Sequence, residues 1–248
     1  MDRTSNPHRK TPRLHLNTTL AAENMIELDR ARSHYLFDVM RMKVGDKVRL
    51  FNGRNGEWLA GIVEAGRKSC QLEATEQLRP QEEEPGPTLL FAPIKKARME
   101  MLVEKATELG VSKLMPVKTR RSIVDRVNVE RLRAIAVEAA EQCERLTVPD
   151  IRELQTLEQA LEDRPASAPL YVADETGAGN PLQQALAPDR PATFLIGPEG
   201  GFDPAELERL DALPAVVKVD LGPRILRAET AGMVSLATWL TFSRSMCF

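Results

Sequence analysis

Apolar runs and helix-start signals alternate along the chain from residue 88 onwards, and this alternation constrains the fold most strongly. The run Thr88–Ile94 is almost continuously apolar, as in a strand buried on both faces. Further strands are predicted at 112–117, 169–173, 193–196 and 216–221. Strands separated by helices pair in parallel, so the sequence predicts an α/β domain with a mainly parallel sheet and helices on both faces. Ligands of such sheets bind beyond the carboxyl ends of the strands.

The predicted helices carry recognisable boundaries. One ends before Gly110, and another begins at Asn128. Three more begin at Thr156, Asn180 and Asp203, each followed three residues later by Gln or Glu, and the last two are followed directly by proline. The helix from Asn128 repeats apolar residues at helical spacing: Leu132, Ile135, Ala136, Ala139, Ala140 and Cys143. That stripe predicts that the helix packs against another part of the protein.

The first 75 residues follow a different pattern. Short strands are predicted near Leu14 and at 47–51, 57–64 and 68–74, with one helix over 30–42. Asn-Gly pairs between the second and third strands favour a hairpin turn. Short strands with one helix predict a small β-barrel, a shape that often binds nucleic acid.

A proline- and glutamate-rich stretch separates the two patterns. Residues 77–88 contain three prolines and three consecutive glutamates, which is typical of an exposed linker. We therefore predict a barrel domain over 1–75, a linker over 76–88 and an α/β domain over 89–248.

Several functional classes are disfavoured by residue types. No apolar run approaches the ~18 residues of a membrane span, and the N-terminus lacks the apolar centre of a signal peptide. Three cysteines without a C-x-x-C pair fit a reducing cytoplasm. All histidines lie in the first 34 residues, so we expect no metal and no histidine triad in the larger domain: His8, His15 and His34.

Charge is distributed unevenly although the net charge is only −2. Residues 1–74 carry 13 basic and 9 acidic side chains, and residues 95–133 carry 11 and 5, whereas residues 134–248 carry 9 and 18. Two basic zones in an acidic protein indicate local attraction to a polyanion. Solvated helix faces are the alternative explanation.

Two loops at predicted strand ends are candidates for ligand binding. Residues 196–203, IGPEGGFD, form a glycine-rich turn from a strand into a capped helix, without the spacing of a phosphate-binding or dinucleotide motif. Residues 219–231, VDLGPRILRAETA, turn at Gly222 and present two arginines and a glutamate before an apolar helix. Each loop alone could be a structural turn. Because both follow strands that we predict to be neighbours in one sheet, a shared pocket is favoured.

These motifs together resemble a known family. The segments IGPEGGF and LGPRILRAETA, with EAAEQCERLTVPDI at 138–151 and KATELGVSKLMPV at 105–117, resemble the SPOUT-class methyltransferases that modify N3 of a uridine in small-subunit (16S) ribosomal RNA. The four segments occur in the family's order, and the resemblance covers essentially the whole chain. It implies a PUA-like or OB-like RNA-binding barrel followed by a SPOUT domain with a trefoil knot, an exception to the rule against threading.

The resemblance also implies a cofactor, an assembly and a pocket. Family members bind S-adenosyl-L-methionine in the knot and act as homodimers on ribosomal RNA, as naked RNA or within the 30S subunit. Residue by residue, the implied cofactor site is Leu195, Ile196, Gly197, Gly201, Leu221, Gly222, Ile225, Leu226 and Ala231. The chain has Ala228 where the family often has threonine.

Methylation of uracil N3 requires loss of its proton, because the neutral nitrogen has no free in-plane lone pair. An enzyme can supply a base, a cation that stabilises the uracil anion, or both. The catalytic candidates are Glu229 as proton acceptor or substrate orienter, and Arg224 and Arg227 as anion stabilisers or phosphate clamps.

Basic residues outside the two loops are the RNA-binding candidates. A target uridine inside folded RNA must be swung out of its stack, which gives the barrel a role in gripping the RNA. Those predicted to contact RNA are Arg13, Arg41, Lys43, Arg54, Arg120, Arg121, Arg126, Gln142 and Arg145. Two other functions stay open: a 2′-O-ribose methyltransferase of the same fold, and a non-catalytic RNA-binding module.

Overall fold

The computed structural model divides the chain into two compact units. It describes residues 7–65, 70–162, 164, 168–173, 176–177, 179–187 and 192–245. The first unit comprises residues 1–83 together with 140–147, and the second comprises 84–139 and 148–248. The division at 83/84 lies inside the predicted linker, whereas 140–147 joins the first unit and not the α/β domain to which the sequence assigned it.

The first unit is built on a five-stranded mixed sheet. Its strands are β1 Arg13–His15, β2 Met25–Leu28, β3 Lys47–Phe51, β4 Glu57–Ala65 and β5 Cys70–Arg79. They lie in the order β1-β3-β4-β5-β2, with β1 parallel to β3 and the other pairs antiparallel. β3 and β4 form the hairpin that the Asn-Gly pairs predicted. β5 continues to Arg79, where Gln77 still pairs with Trp58, so the segment outside the sheet is shorter than the linker predicted over 76–88.

The helix predicted over 30–42 is shorter and less regular than expected. α1 covers Arg30–His34 and is capped by the Asp29 side chain, and a π-helical turn follows at Tyr35–Val39. The helical path ends because Arg41 adopts a positive φ of 56°, and the Met42 amide bonds to the Leu36 carbonyl.

A buried ion cluster lies at one end of the first sheet. Glu57 is fully buried, and its carboxylate accepts from Arg13 Nε at 2.6 Å and from Arg79 Nε at 3.0 Å. Arg49 Nη1 lies 3.8 Å from the same carboxylate, and its Nη2 donates to Glu144 at 2.9 Å. The Arg13 side chain is only 3% exposed, so its position does not match the predicted RNA contact. A charged group this deep is held by its partners, not offered to a ligand.

The second unit alternates strands and helices. Its first half contains β6 Thr88–Phe91, α2 Lys96–Glu108, β7 Lys113–Lys118, α3 Val129–Cys143, β8 Asp150–Ile151, β9 Gln155–Thr156 and α4 Leu157–Glu162. The last residues of α3, 140–143, belong to the first unit. Its second half contains β10 Leu170–Ala173, β11 Asn180–Pro181, α5 Leu182–Ala185, β12 Thr193–Ile196, α6 Pro204–Asp211, β13 Val216–Asp220 and α7 Ala228–Ser245. The strands pair in parallel, as predicted. Their order is β11-β13-β10-β12-β6-β7-β8, and β9 pairs with β7.

Side chains along the central strands alternate between two cores, which places helices on both faces of the sheet. Leu89 and Phe91 of β6 pack in a core with residues of α2, α3 and α7. Leu90, between them, packs in a second core with residues of α4 and α6. The predicted two-sided coverage of a parallel sheet is thus confirmed.

Two of the three predicted capping motifs are present. Thr156 and Gln159 exchange side-chain to backbone hydrogen bonds at the start of α4, and Asp203 and Glu206 do the same at α6. The helix start predicted at Asn180 was wrong. Asn180 and Pro181 pair with β13 as a short strand, and α5 begins only at Leu182 without a side-chain cap.

Among the described residues, no helix combines the length and the apolar character that a bilayer crossing requires.

Candidate functional site

The two loops singled out in the sequence lie at the carboxyl edge of the second sheet. One follows β12 and the other follows β13, but β10 lies between these strands, so the prediction that they are neighbours was wrong. The loops nevertheless line one cavity of about 880 Å³, together with residues that follow β10. Its size is in the range of small-molecule sites, and it lies where parallel sheets bind ligands.

Nearly all of the predicted cofactor residues line this cavity. They are Ile196, Gly197, Gly201, Leu221, Gly222, Ile225, Leu226 and Ala231. Ile225 is 87% exposed and therefore stands at the rim. Leu195 is the exception, because its side chain points to the opposite face of β12 and packs with Leu90 and Val172. Successive residues of a strand face opposite sides, so Ile196 and Leu195 cannot both face the cavity.

Glycines expose the backbone in parts of the cavity wall. Gly201 and Gly222 have φ angles of 68° and 118°, in the region that favours glycine. A Cβ atom on Gly197 would lie 2.8 Å from the ring of Phe202, which is buried in the second core. Backbone and apolar side chains of this kind fit the adenine ring of the predicted cofactor.

The three predicted catalytic residues occupy different positions. Arg224 and Arg227 are exposed and line the cavity. Glu229, in the first turn of α7, has a side chain only 5% exposed and does not belong to the cavity wall. Its Oε1 lies 3.6 Å from Arg98 Nε, and its Oε2 is buried with no hydrogen-bond partner among the described residues. This position does not match the predicted contact with substrate.

Sequence reasoning missed a second group of charged residues at the cavity. Lys95 and Arg98 lie at the start of α2, after β6, and Glu199 lies in the glycine-rich loop, where it forms an ion pair with Arg98. Thr176 and Gly177, after β10, also line the cavity. The available signal was the basic cluster directly after the buried strand Thr88–Phe91, because ligands bind at such strand ends.

Arginines 120 and 121 bind the glycine-rich loop within the same unit. The Arg120 guanidinium pairs with Asp203 at 3.0 Å and its amide donates to Glu206 at 2.8 Å. Arg121 Nη1 donates to the Gly200 carbonyl at 3.0 Å. Their role in the described structure is therefore to brace the loop, and both remain exposed enough to meet a phosphate. Arg126 is exposed, as its predicted RNA contact requires.

The remaining RNA-binding candidates lie in the first unit. Arg41, Lys43, Arg54 and Gln142 are exposed, and Arg54 Nη2 also donates to the Asn17 carbonyl. Arg145 is half-buried, donates from Nη2 to Thr147 Oγ1, and offers its carbonyl to Arg13. Their predicted contacts with RNA stay predictions.

Models of two protein families match the chain. Residues 82–240 match an RNA methyltransferase domain, and residues 28–75 match the PUA domain of RNA methyltransferases. The chain is 36% identical over 231 residues to ribosomal RNA small subunit methyltransferase E of Rickettsia conorii, a match that spans 92% of this chain and 94% of the relative. It is 33% identical to the Synechocystis protein of the same name, over 88% of this chain and 75% of that relative.

A solved structure has the same architecture. Ribosomal RNA small subunit methyltransferase E from Neisseria gonorrhoeae, crystallised with S-adenosylmethionine, superposes with a TM-score of 0.85 at 27% identity. The similarity covers 93% of this chain and 97% of that protein. The predicted fold class, a parallel α/β unit preceded by a PUA-like domain, is thereby confirmed.

Proposed function

The chain belongs to the ribosomal RNA small subunit methyltransferase E family, and on that premise we propose that it methylates N3 of a uridine in 16S ribosomal RNA with S-adenosylmethionine. The observation that carries the proposal is the shared cavity of the two loops, with glycine backbone and apolar side chains in its wall. Family membership alone supports an RNA methyltransferase. Uracil N3 as the methylated atom is part of the proposal.

The cofactor residues follow from the cavity wall. Ile196, Gly197 and Gly201 would hold S-adenosylmethionine from the first loop, and Leu221 and Leu226 from the second. When bound, this cofactor supplies an electrophilic methyl group on a positive sulfonium. The bare backbone of both loops lets amide groups approach a ligand closely, which explains why glycine recurs there.

The chain itself must remove the N3 proton and balance the negative charge that the uracil then carries. Arg224 and Arg227 bring two exposed cations to the cavity. We assign them to the phosphates of the RNA next to the target uridine. The proposal also includes a homodimer, a trefoil knot in the second unit, and action in the cytoplasm on the RNA of the small ribosomal subunit.

Tritiated methyl transfer tests the proposed function. Purified protein, labelled S-adenosylmethionine and 30S particles or 16S RNA should yield labelled 3-methyluridine after nucleoside digestion and mass analysis. A 2′-O-methylated nucleoside would instead assign the chain to ribose methylation. Absence of both products, together with no saturable cofactor binding in calorimetry, would assign it to the non-catalytic RNA-binding modules.

Removal of the loop arginines should weaken RNA binding and its dependence on salt. Each phosphate contact contributes about 0.7 to 0.9 to the slope of log affinity against log salt. The Arg224→Ala and Arg227→Ala double variant should therefore lose up to about 1.4 to 1.8 of that slope in filter-binding titrations. Arg209→Ala, which removes an exposed arginine of α6 outside the cavity, should keep the parental slope. Equal slopes in all three proteins would contradict the assignment.

A further inference from the structure

A guanidinium held between two carboxylates lies at the wall of the cofactor cavity. Arg98, in the first turn of α2, pairs through Nη1 with Glu199 of the glycine-rich loop. Its Nε lies 3.6 Å from Glu229 Oε1 in the first turn of α7. One loop and two helix starts therefore bring one cation and two anions to the same point.

The two carboxylates differ in their access to the cavity. The Glu199 side chain is 35% exposed and lines the cavity, whereas the Glu229 side chain is 5% exposed and lies behind Arg98. A proton acceptor must come within hydrogen-bond reach of the proton that it removes. Of the two carboxylates, only Glu199 lines the cavity in which a substrate proton could reach it. A buried carboxylate next to a guanidinium is instead suited to fix that guanidinium in place.

Positive charge surrounds Glu199. Besides Arg98, Lys95 and Arg121 line a shallow depression beside the cavity to which Glu199 also contributes. If Glu199 takes up a proton it becomes neutral, and the charge of Arg98 is then available to an anion in the cavity. The buried Glu229 carboxylate, with Oε1 at 3.6 Å from Arg98 Nε, keeps the guanidinium in position. The arrangement separates proton removal, anion stabilisation and positioning among three side chains.

We propose that Glu199 accepts the N3 proton of the target uracil, that Arg98 stabilises the uracil anion, and that Glu229 is a positioning residue for Arg98. The inference rests on the proposed function. The N3 proton passes to a Glu199 carboxylate oxygen, the freed N3 electron pair forms the bond to the methyl carbon, and the carbon–sulfur bond breaks with its electrons left on sulfur. Glu199 then returns the proton to solvent.

Glu199→Gln is the first test, because it keeps the shape of the side chain and its place in the loop while removing the base. At saturating cofactor we expect single-turnover methylation to fall about 100-fold or more, the range of general-base contributions. Affinity for S-adenosylmethionine in calorimetry should stay within about twofold of the parent. Glu208→Gln, an exposed glutamate of α6 that does not line the cavity, is the matched control and should methylate at the parental rate.

A more acidic substrate separates proton removal from a structural effect. RNA containing 5-fluorouridine carries an N3 proton that is lost more readily, so it needs less help from a base. The rate defect of Glu199→Gln should therefore shrink on this RNA. With ordinary uridine, the variant should regain rate steadily as pH rises, because hydroxide replaces the missing acceptor. An equal defect on both RNAs with an unchanged pH profile would overturn the role of Glu199.

A binding measurement tests Arg98 and Glu229 without turnover. With S-adenosylhomocysteine present, the parent should bind 5-fluorouridine RNA more tightly as pH rises and the base becomes an anion, relative to uridine RNA in fluorescence anisotropy. Arg98→Met should lose this preference, and Arg98→Lys should restore part of it. Glu229→Gln should weaken it while leaving Glu199 in place. A preference retained in Arg98→Met would refute the role of that guanidinium.

The outcomes distinguish the inference from the proposed function. If the parent protein forms no 3-methyluridine, the proposed function fails before any variant is compared. If the parent forms it and Glu199→Gln does so at an equal rate, the function stands and the inference fails. If Glu199→Gln loses cofactor affinity in proportion to its rate, Glu199 is a cofactor ligand and the inference also fails.

Discussion

Replacement of Glu57 by glutamine is expected to lower the free energy of unfolding of the first unit by about 3 to 5 kcal/mol, the cost of breaking a buried ion pair. Glu57 is fully buried and accepts hydrogen bonds from Arg13 and Arg79, with Arg49 also within 4 Å. The substitution removes the carboxylate that Arg13 and Arg79 share, whereas Arg49 keeps its ion pair with Glu144. Urea denaturation followed by Trp58 fluorescence, in a Trp239→Phe background, measures the change within this unit.

Glu64→Gln is the matched control, because it lies on the same strand and is exposed. Surface substitutions of this kind change stability by about 0.5 kcal/mol or less. Equal effects of the two variants would show that the cluster does not stabilise the unit.

The effect of Glu57 should depend on pH in a defined direction. Burial alone would raise the pKa of Glu57, but attraction to Arg13 and hydrogen bonds from Arg79 and Arg13 outweigh burial, so its pKa lies below the ordinary 4.5. A carboxylate with a lowered pKa in the folded state contributes stability above the unfolded-state pKa, and loses it as pH falls through the folded value. The stability difference between the parent and Glu57→Gln should therefore be constant near neutral pH and narrow below about pH 4.5.

Gly222→Val should reduce the affinity for S-adenosylmethionine about 5- to 150-fold. Gly222 has a φ of 118°, a conformation that side-chain-bearing residues adopt only at a strain of about 1 to 3 kcal/mol. The valine variant must take up this strain each time the loop adopts its cofactor-binding conformation. Because a tenfold change in affinity corresponds to about 1.4 kcal/mol, the strain lowers the binding affinity by that range. There is open space where its Cβ would lie, so a direct clash does not contribute. Calorimetric titration with the cofactor gives the change.

Gly45→Val is the control for this prediction. Gly45 also has a positive φ, 94°, also has no atom within 4 Å of an added Cβ, and lies in the first unit. Gly45→Val should lower the free energy of unfolding by the same strain of about 1 to 3 kcal/mol, but it should bind the cofactor with the affinity of the parent. Parental cofactor affinity in Gly222→Val would show that the loop does not need its glycine conformation to bind.

Local signals explain which parts of the fold were predictable. Buried strands such as Thr88–Phe91 and the capping boxes at Thr156 and Asp203 are each determined by a few adjacent residues. The motif at Asn180 has the same local chemistry. The helix start predicted there is wrong because Asn180 and Pro181 pair with β13, more than 30 residues away, and form a short strand.

The sequence predicted the two loops of the candidate site, but not the arrangement of its charged side chains. Glycine-rich turns after strands are recognisable in the sequence, and all but one of the cofactor residues implied by the family resemblance line the cavity. Which carboxylate faces the cavity depends on how α2 packs against α7, which brings Arg98 and Glu229 together over 131 positions. Arg13 illustrates the same limit: its place in a basic zone predicts exposure, but the ion pair with Glu57, 44 residues away, holds it in a buried position.

The membership of residues 140–147 in the first unit has a consequence for synthesis on the ribosome. Arg13 donates hydrogen bonds to the carbonyls of Ala140, Glu141 and Arg145, at 2.7, 3.0 and 2.9 Å. A nascent chain that has emerged only to residue 83 therefore lacks the acceptors that close its own N-terminal body. At about 5 to 20 residues per second, translation of the next stretch to residue 147 delays completion by roughly 3 to 13 seconds. A fragment cut at residue 83 would carry the same unfinished end permanently.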